Sequence, residues 1–168
     1  MKKLTKTFAL FACSALLAAS LTALTACGQK NADMDASSVE ENVQIPNPWV
    51  AYPSLEEAVK SSGIALTLPE EIGGVKADFW QAIPDELIEV RYGDHYSVRK
   101  GTGGEDISGD FNAYAEVTQK EIDGKTGTFK GNDGKVMLAV WTEGNYGYSV
   151  SADGLSAENM TSVVAAVK

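Results

Sequence analysis

The fold is decided near the C-terminal end by the stretch Val136-Met137-Leu138-Ala139-Val140-Trp141-Thr142-Glu143-Gly144-Asn145-Tyr146-Gly147-Tyr148-Ser149-Val150-Ser151. Two largely apolar runs flank Glu143-Gly144, a dipeptide typical of a two-residue hairpin turn. A loop at that point pairs apolar side chains across two antiparallel strands: Trp141 with Tyr146, Ala139 with Tyr148, and Met137 with Val150. A shift of one residue would destroy every such pair. The pattern therefore predicts a hairpin with one apolar face.

The preceding segment adds a third strand to this hairpin. Asn132-Asp133-Gly134 suits a three-residue turn with a glycine bulge, which pairs Phe129 with Met137. One face then carries seven side chains: Phe129, Met137, Ala139, Trp141, Tyr146, Tyr148 and Val150. The other face carries Val136, Leu138 and Val140 beside Gly147, Ser149 and Ser151. Because the middle strand is apolar on both sides, we expect it to be central in the sheet and covered on both faces.

Further turn and cap signals complete the predicted fold. A three-residue loop at Gly93-Asp94-His95 pairs Tyr92 with Tyr96 and Val90 with Val98 in a hairpin over residues 87–99. Ser54-Leu55-Glu56-Glu57 is a capping box, and Gly63 ends the helix that follows it. Ser156 caps a closing helix whose apolar stripe consists of Met160, Val163, Val164 and Val167. We expect an α+β domain, with a mainly antiparallel sheet of about five to seven strands in a meander, flanked by an N-terminal and a C-terminal helix.

The N-terminus has the features of a bacterial export signal. Three lysines precede an apolar stretch from Phe8 to Ala19, which is shorter than the about 20 residues that span a bilayer. The stretch leads to Leu24-Thr25-Ala26-Cys27, which resembles the lipobox of bacterial lipoproteins. That resemblance implies cleavage before Cys27 and attachment of a diacylglycerol to its thiol. The alternative is an ordinary secretory signal in which Cys27 is incidental.

These signals divide the chain into three parts. Residues 1–26 are the predicted lipoprotein signal peptide, 27–46 the lipidated cysteine and a flexible polar tether, and 47–168 a single α+β domain. We expect the protein on the extracytoplasmic face of the cell membrane, held there by its lipid.

Composition excludes several classes of function. The chain of 168 residues has 14 basic and 23 acidic residues, a formal net charge of −9. Such a balance argues against a nucleic-acid surface. Two cysteines and one histidine are too few for a zinc site built from these residues. We therefore expect no cofactor and no nucleic-acid partner.

Two groups of residues are candidates for binding. The aromatic side chains of the predicted apolar face form a possible ligand platform, with the hydrophobic core as the alternative: Phe129, Trp141, Tyr146 and Tyr148. The segment 105–112 carries oxygen-bearing residues at alternate positions, as at the start of a calcium loop: Asp106, Ser108, Asp110 and Asn112. However, Phe111 stands where such a loop has glycine, and Val117 where it has its bidentate acid. A polar loop with Asx-type turns is the alternative.

No sequence motif indicates catalysis. There is no Gly-x-Ser-x-Gly elbow, no phosphate-binding glycine loop and no His-Glu-x-x-His. His95 is the only histidine, and the predicted register places it in an exposed turn. We expect a non-enzymatic protein; the alternative is a cell-envelope hydrolase that uses acidic residues such as Asp106 and Asp110.

Several blocks of the domain together resemble a known family. They are Arg91-Tyr92-Gly93-Asp94, Arg99-Lys100 with the segment 105–110, Lys130-Gly131-Asn132-Asp133-Gly134-Lys135 and Ala139-Val140-Trp141-Thr142. The pattern is similar to an uncharacterised domain family of Gram-positive extracytoplasmic proteins, present in small lipoproteins and in the outer portions of anti-sigma-factor-like membrane proteins. The resemblance covers roughly residues 47–168 and brings no catalytic residues.

That resemblance implies sensing or protein interaction, as an analogy at the level of the fold. We therefore expect a membrane-anchored surface lipoprotein whose domain binds a small ligand or an envelope protein of unknown identity. A calcium-binding surface module is the remaining alternative.

Overall fold

The computed structural model describes residues 46–104 and 106–168, which form one large sheet, one short hairpin and two helices. The predicted signal peptide, Cys27 and almost all of the tether lie outside the described residues. The strands are β1 Val50–Tyr52, β2 Glu71–Ile72, β3 Val75–Lys76, β4 Phe79–Ile83, β5 Leu87–Tyr92, β6 Tyr96–Thr102, β7 Glu116–Ile122, β8 Lys125–Asn132, β9 Lys135–Glu143 and β10 Tyr146–Leu155. The helices are α1 Leu55–Ser62 and α2 Ala157–Ala166. No helix in these ranges is long and apolar enough to cross a bilayer.

The large sheet is antiparallel and has eight strands in the order β1-β4-β5-β6-β10-β9-β8-β7. The fold is thus α+β, but the expectation of five to seven strands is too low. It is also not a single meander, because β6 pairs with β10 and not with β7. Two meanders, β4-β5-β6 and β7-β8-β9-β10, are joined through that pair. The short strands β1, β2 and β3 are not predicted from the sequence, because two or three residues show no alternation, and neither β4 nor β7 is predicted.

Both helices pack on one face of the sheet, here called the helix face. Its central row is Trp80, Val90, Val98, Val150, Ala139 and Phe129, paired across six neighbouring strands. Met160, Val163, Val164 and Val167, the predicted stripe of α2, are all buried in the same core. The predicted caps are confirmed: the Ser54 and Ser156 side chains accept the N–H groups of Glu57 and Asn159.

The opposite face, here called the loop face, is covered by a chain segment instead of a helix. Because β10, β9 and β8 separate β6 from β7, the connection of residues 103–115 has to cross them. A guanidinium nitrogen of Arg99 on β6 donates to the Ser108 carbonyl, and Lys130 Nζ on β8 lies 3.0 Å from Asp106 Oδ2. The expectation of a strand covered on both faces is thus met for β9, where Leu138 is fully buried.

The register of the β5–β6 hairpin is the one predicted. Tyr92 pairs with Tyr96 and Val90 with Val98 across the three-residue loop. The β9–β10 turn, in contrast, lies one residue further along than predicted, so that Trp141 pairs with Tyr148 and Ala139 with Val150. The reason is the turn: Gly144 takes its first central position with φ of 61°, a left-handed conformation that favours glycine.

The β8–β9 register also differs from the prediction. A two-residue turn pairs Asn132 with Lys135, and a bulge between Lys130 and Gly131 then moves Phe129 opposite Ala139. The predicted pair of Phe129 and Met137 is therefore wrong. The bulge brings Val136 into the core of the helix face, in place of the predicted Met137.

Candidate functional site

A polar cavity of about 390 Å³ opens on the loop face, and its floor is formed by β5, β6 and β10. We call it the arginine basin, because both arginines of the chain line it, together with the only histidine. The other lining residues that bear on its chemistry are Glu89, Asp94, Ser97, Asp110, Asn112, Tyr114, Met137, Ser151 and Asp153.

The sheet register arranges the basin in three rows. The innermost row runs Gln81–Glu89–Arg99–Ser149 across β4, β5, β6 and β10. The next row, two residues along, runs Phe79–Arg91–Ser97–Ser151. At the outer row the Asp153 N–H donates to the His95 carbonyl at 3.2 Å. Charged side chains thus project from one face at positions that a pleated sheet fixes.

The innermost row is organised by a buried carboxylate. Glu89 is only 1% exposed, and its Oε1 accepts hydrogen bonds from Gln81 Nε2 at 2.7 Å and from Arg91 Nε. Its Oε2 accepts from Arg99 Nε. Burial raises the pKa of a carboxyl group, but the hydrogen bonds and charges of the two arginines outweigh burial here. The pKa of Glu89 therefore lies below its ordinary value of 4.5, and the group is ionised at neutral pH.

Aromatic rings hold the two arginines from their other side. The Arg99 guanidinium lies 5.5 Å from the ring centroid of Trp49, and that of Arg91 lies 5.3 Å from the centroid of Phe79. Such stacking fixes a planar guanidinium without using its N–H donors. Arg99 Nη1 also donates to the Ser108 carbonyl. Among the described residues, both Nη groups of Arg91 and Nη2 of Arg99 have no hydrogen-bond partner.

The outer row of the basin contains an ion pair. His95 Nδ1 lies 2.7 Å from Asp153 Oδ2, and both side chains are more than half exposed. The hydrogen bond to Asp153, followed by the charges of Asp153 and Asp94, raises the pKa of His95 above 6.5. His95 lies in the turn between β5 and β6, where the sequence predicts it.

The predicted calcium ligands use their oxygens for local turns. Asp106 Oδ1 accepts the Ser108 N–H at 3.0 Å, Ser108 Oγ accepts the Asp110 N–H at 3.2 Å, and Asp110 Oδ1 accepts the Asn112 N–H at 2.7 Å. These are three successive Asx- and Ser-type turns, as the alternative interpretation of this segment, a polar loop, predicts. Within residues 46–104 and 106–168, no three His, Cys, Asp or Glu side chains come together as metal ligands.

The two acids of the hydrolase alternative are each engaged elsewhere. Asp106 Oδ2 binds Lys130, and Asp110 Oδ2 accepts the Tyr114 hydroxyl proton at 2.6 Å. Burial alone would raise the pKa of both carboxyl groups, but their hydrogen bonds and the charge of Lys130 lower the two pKa values by more. Both groups are therefore ionised at neutral pH. A general acid needs a raised pKa. The geometry therefore assigns these acids to the ordering of the loop.

Three of the four aromatic residues of the predicted platform lie in the interior. Phe129, Trp141 and Tyr148 are buried in the core of the helix face, and Trp141 stacks on Tyr148 with ring centroids 5.1 Å apart. Tyr146 is partly buried, and Lys100 Nζ lies 4.8 Å from its ring centroid. These positions correspond to the core alternative and leave no open aromatic face on these three rings.

Glu89, Arg91 and Arg99 are not among the binding residues predicted from the sequence, although the two arginines stand in blocks that carry the family resemblance. A signal for them was available, because the hairpin register predicted from Tyr92 and Tyr96 also places Glu89 opposite Arg99. It also places Glu89 and Arg91 on the same face, two residues apart. What the sequence lacked was any indication that this face meets a cavity.

Compared with known proteins, the chain matches no family model, no curated protein and no solved structure. The resemblance to the extracytoplasmic lipoprotein domains therefore stays a prediction.

Proposed function

We propose that this protein is a non-enzymatic lipoprotein of the extracytoplasmic membrane face whose domain binds a carboxylate-bearing ligand in the arginine basin. The anchor rests on the sequence alone, with the lysines, the apolar stretch and Leu24-Thr25-Ala26-Cys27. The binding site rests on the geometry around Glu89. The hydrolase and calcium alternatives receive no support from the geometry of Asp106 and Asp110.

One observation carries the binding proposal: a single buried carboxylate fixes the only two arginines of the chain through their Nε atoms. Both Nη groups of Arg91 and Nη2 of Arg99 stay available to a ligand, whereas Nη1 of Arg99 donates to the Ser108 carbonyl. A guanidinium presents its donors in a planar fork that matches a carboxylate. Elsewhere the chain uses lysine for its positive charges, so that the geometry needed for bidentate recognition is concentrated at this cavity.

The arginines are also immobilised before any ligand arrives. Glu89 and two aromatic rings restrict both side chains, and the Ser108 carbonyl restricts Arg99 further. Immobilising a flexible side chain on binding costs about 0.5–1.5 kcal/mol, a cost that is already met in this arrangement. The cavity volume lies in the range typical of small-molecule sites.

The binding proposal is tested by calorimetric titration of the full-length protein in detergent with N-acetyl-trialanine and with its C-terminal amide. The two probes differ only in the carboxylate. We expect the acid to bind and the amide not to bind. Arg91→Gln removes hydrogen bonds to a charged group and should weaken binding of the acid about 10- to 100-fold.

The control variant is Lys76→Gln, which removes a surface cation that pairs with Glu70. It should leave the affinity for N-acetyl-trialanine unchanged. Equal binding of acid and amide, or equal affinity of Arg91→Gln and wild type, would refute the site.

The anchor is tested separately by metabolic labelling with an alkyne fatty acid. Labelling should be lost in Cys27→Ala and retained in Cys13→Ala, the matched control at the other cysteine. Undiminished labelling of Cys27→Ala would show that the lipobox interpretation is wrong.

A further inference from the structure

The arginine basin carries more negative than positive charge, although two arginines line its floor. Even with His95 protonated, three cations stand against four carboxylates, those of Glu89, Asp94, Asp110 and Asp153. The net charge of the whole chain is −9. A ligand with a carboxylate as its only charge would therefore enter an already negative site, which weakens its binding.

The two signs of charge are separated along β6. Arg99, Ser97 and His95 are alternate residues of the loop face, and Asp153 lies opposite His95. Two residues of a strand span about 7 Å, so the acidic outer row lies about 7 Å from the row of Arg91 and about 13 Å from the row of Arg99. The basin thus has a cationic inner end and an acidic outer end.

Two of the carboxylates are available at the outer end. Asp153 binds His95 through Oδ2 only and is 70% exposed, and Asp94 has no side-chain hydrogen bond among the described residues. Asp110 differs, because both of its oxygens accept hydrogen bonds, from Asn112 and Tyr114. Asp153 and Asp94 are therefore the acceptors that a cationic group would meet.

We propose that the ligand of the basin is zwitterionic: a short peptide with free ends, whose carboxylate meets the arginines and whose amino group meets Asp153 and Asp94. This inference rests on the proposed function. An extended chain advances about 3.3–3.6 Å per residue, so the spacing of the two ends corresponds to about two to four residues. A ligand of zero net charge also adds no negative charge to the basin.

The test adds a third probe, trialanine with both ends free, to the titrations of the full-length protein. We expect trialanine to bind at least 10-fold more tightly than N-acetyl-trialanine. The double variant Asp94→Asn and Asp153→Asn should remove this advantage without weakening the binding of N-acetyl-trialanine. Asp133→Asn, at an exposed turn on β8–β9, is the matched control and should retain the advantage.

The outcomes separate this inference from the proposed function. If trialanine and N-acetyl-trialanine bind equally well, the amino group is not recognised, and the inference is wrong while the carboxylate site stands. If the C-terminal amide of N-acetyl-trialanine binds as tightly as N-acetyl-trialanine, or if no probe binds, both proposals fail. An advantage that persists in the double variant would overturn the assignment to Asp94 and Asp153.

Discussion

Replacing Glu89 by glutamine tests the structural basis of the arginine basin most severely. The side chain is 1% exposed and accepts hydrogen bonds from two arginines and one glutamine. Glutamine has the same size, but it has no charge and directs an N–H₂ group toward a donor. Removing one partner of a buried ion pair costs about 3–5 kcal/mol, since the remaining charge is left without its counterion.

The expected loss is large enough to measure by thermal unfolding. For a domain of this size a change of 1 kcal/mol shifts Tm by roughly 3–4 °C, so Glu89→Gln should lower it by roughly 10–20 °C. Circular dichroism and urea titration give the free energy of unfolding independently. Glu71→Gln, an exposed glutamate on the short hairpin, is the control and should change stability by less than about 0.5 kcal/mol.

The effect of Glu89 also has a defined pH dependence. Its pKa is lower in the folded protein than the ordinary 4.5, so its contribution is present above that value and is lost as pH falls through the folded pKa. The difference in stability between wild type and Glu89→Gln should therefore shrink below pH 4.5. A variant as stable as wild type at neutral pH, or a difference that does not shrink in acid, would refute the reasoning.

Three further outcomes follow from other parts of the domain. Because Asp153 raises the pKa of His95, the contribution of this pair to stability is full below pH 6.5 and is lost as pH rises through the folded pKa. NMR titration of the single histidine should give a pKa above 6.5, and Asp153→Asn should lower that pKa. Gly109→Ala should lower the free energy of unfolding in urea by about 1–2 kcal/mol and weaken the binding of N-acetyl-trialanine, because φ is +66° and a β-carbon would lie 2.8 Å from Arg99 Nη1. Gly74→Ala, which also has a positive φ but open space around it, should leave binding unchanged. Phe129→Ala should cost about 3–5 kcal/mol, whereas a loss below about 1 kcal/mol would contradict its place in the core.

Turn chemistry and hydrophobic alternation predicted both helices and five of the eight strands of the large sheet, namely β5, β6, β8, β9 and β10. The β5–β6 register is correct because the three-residue loop pairs apolar residues, whereas a two-residue loop would pair them with polar ones. The helix ends are correct because Ser54 and Ser156 satisfy N–H groups that would otherwise lack partners. Both signals come from neighbouring residues, and the tertiary contacts of the domain do not override them.

The predicted registers are wrong where two alternative pairings leave each side chain on the same face of the sheet. Moving the β9–β10 turn by one residue shifts each partner by two, so Trp141 stays on its apolar face and only its neighbour changes. The bulge beside Gly131 is invisible to alternation in the same way. The pairing of β6 with β10 is a long-range contact, which no pattern within a strand reports.

The arginine basin could not be predicted for the same reason. It requires the rows of β5 and β6 to lie beside β10, and the connection of residues 103–115 to leave part of the loop face open. The sequence does show that Glu89 and Arg99 are partners in the predicted hairpin. It does not show that their row is buried, and burial is what turns a surface pair into a fixed pair of arginines.

The most direct test of the basin is an NMR titration that follows the side-chain Nε–H signals of Arg91 and Arg99, the only arginines in the chain. We predict that N-acetyl-trialanine shifts both signals along one saturable curve, while its C-terminal amide shifts neither. Shifts confined to residues outside the basin, with both arginine signals unmoved, would contradict the central claim that this pair binds a carboxylate.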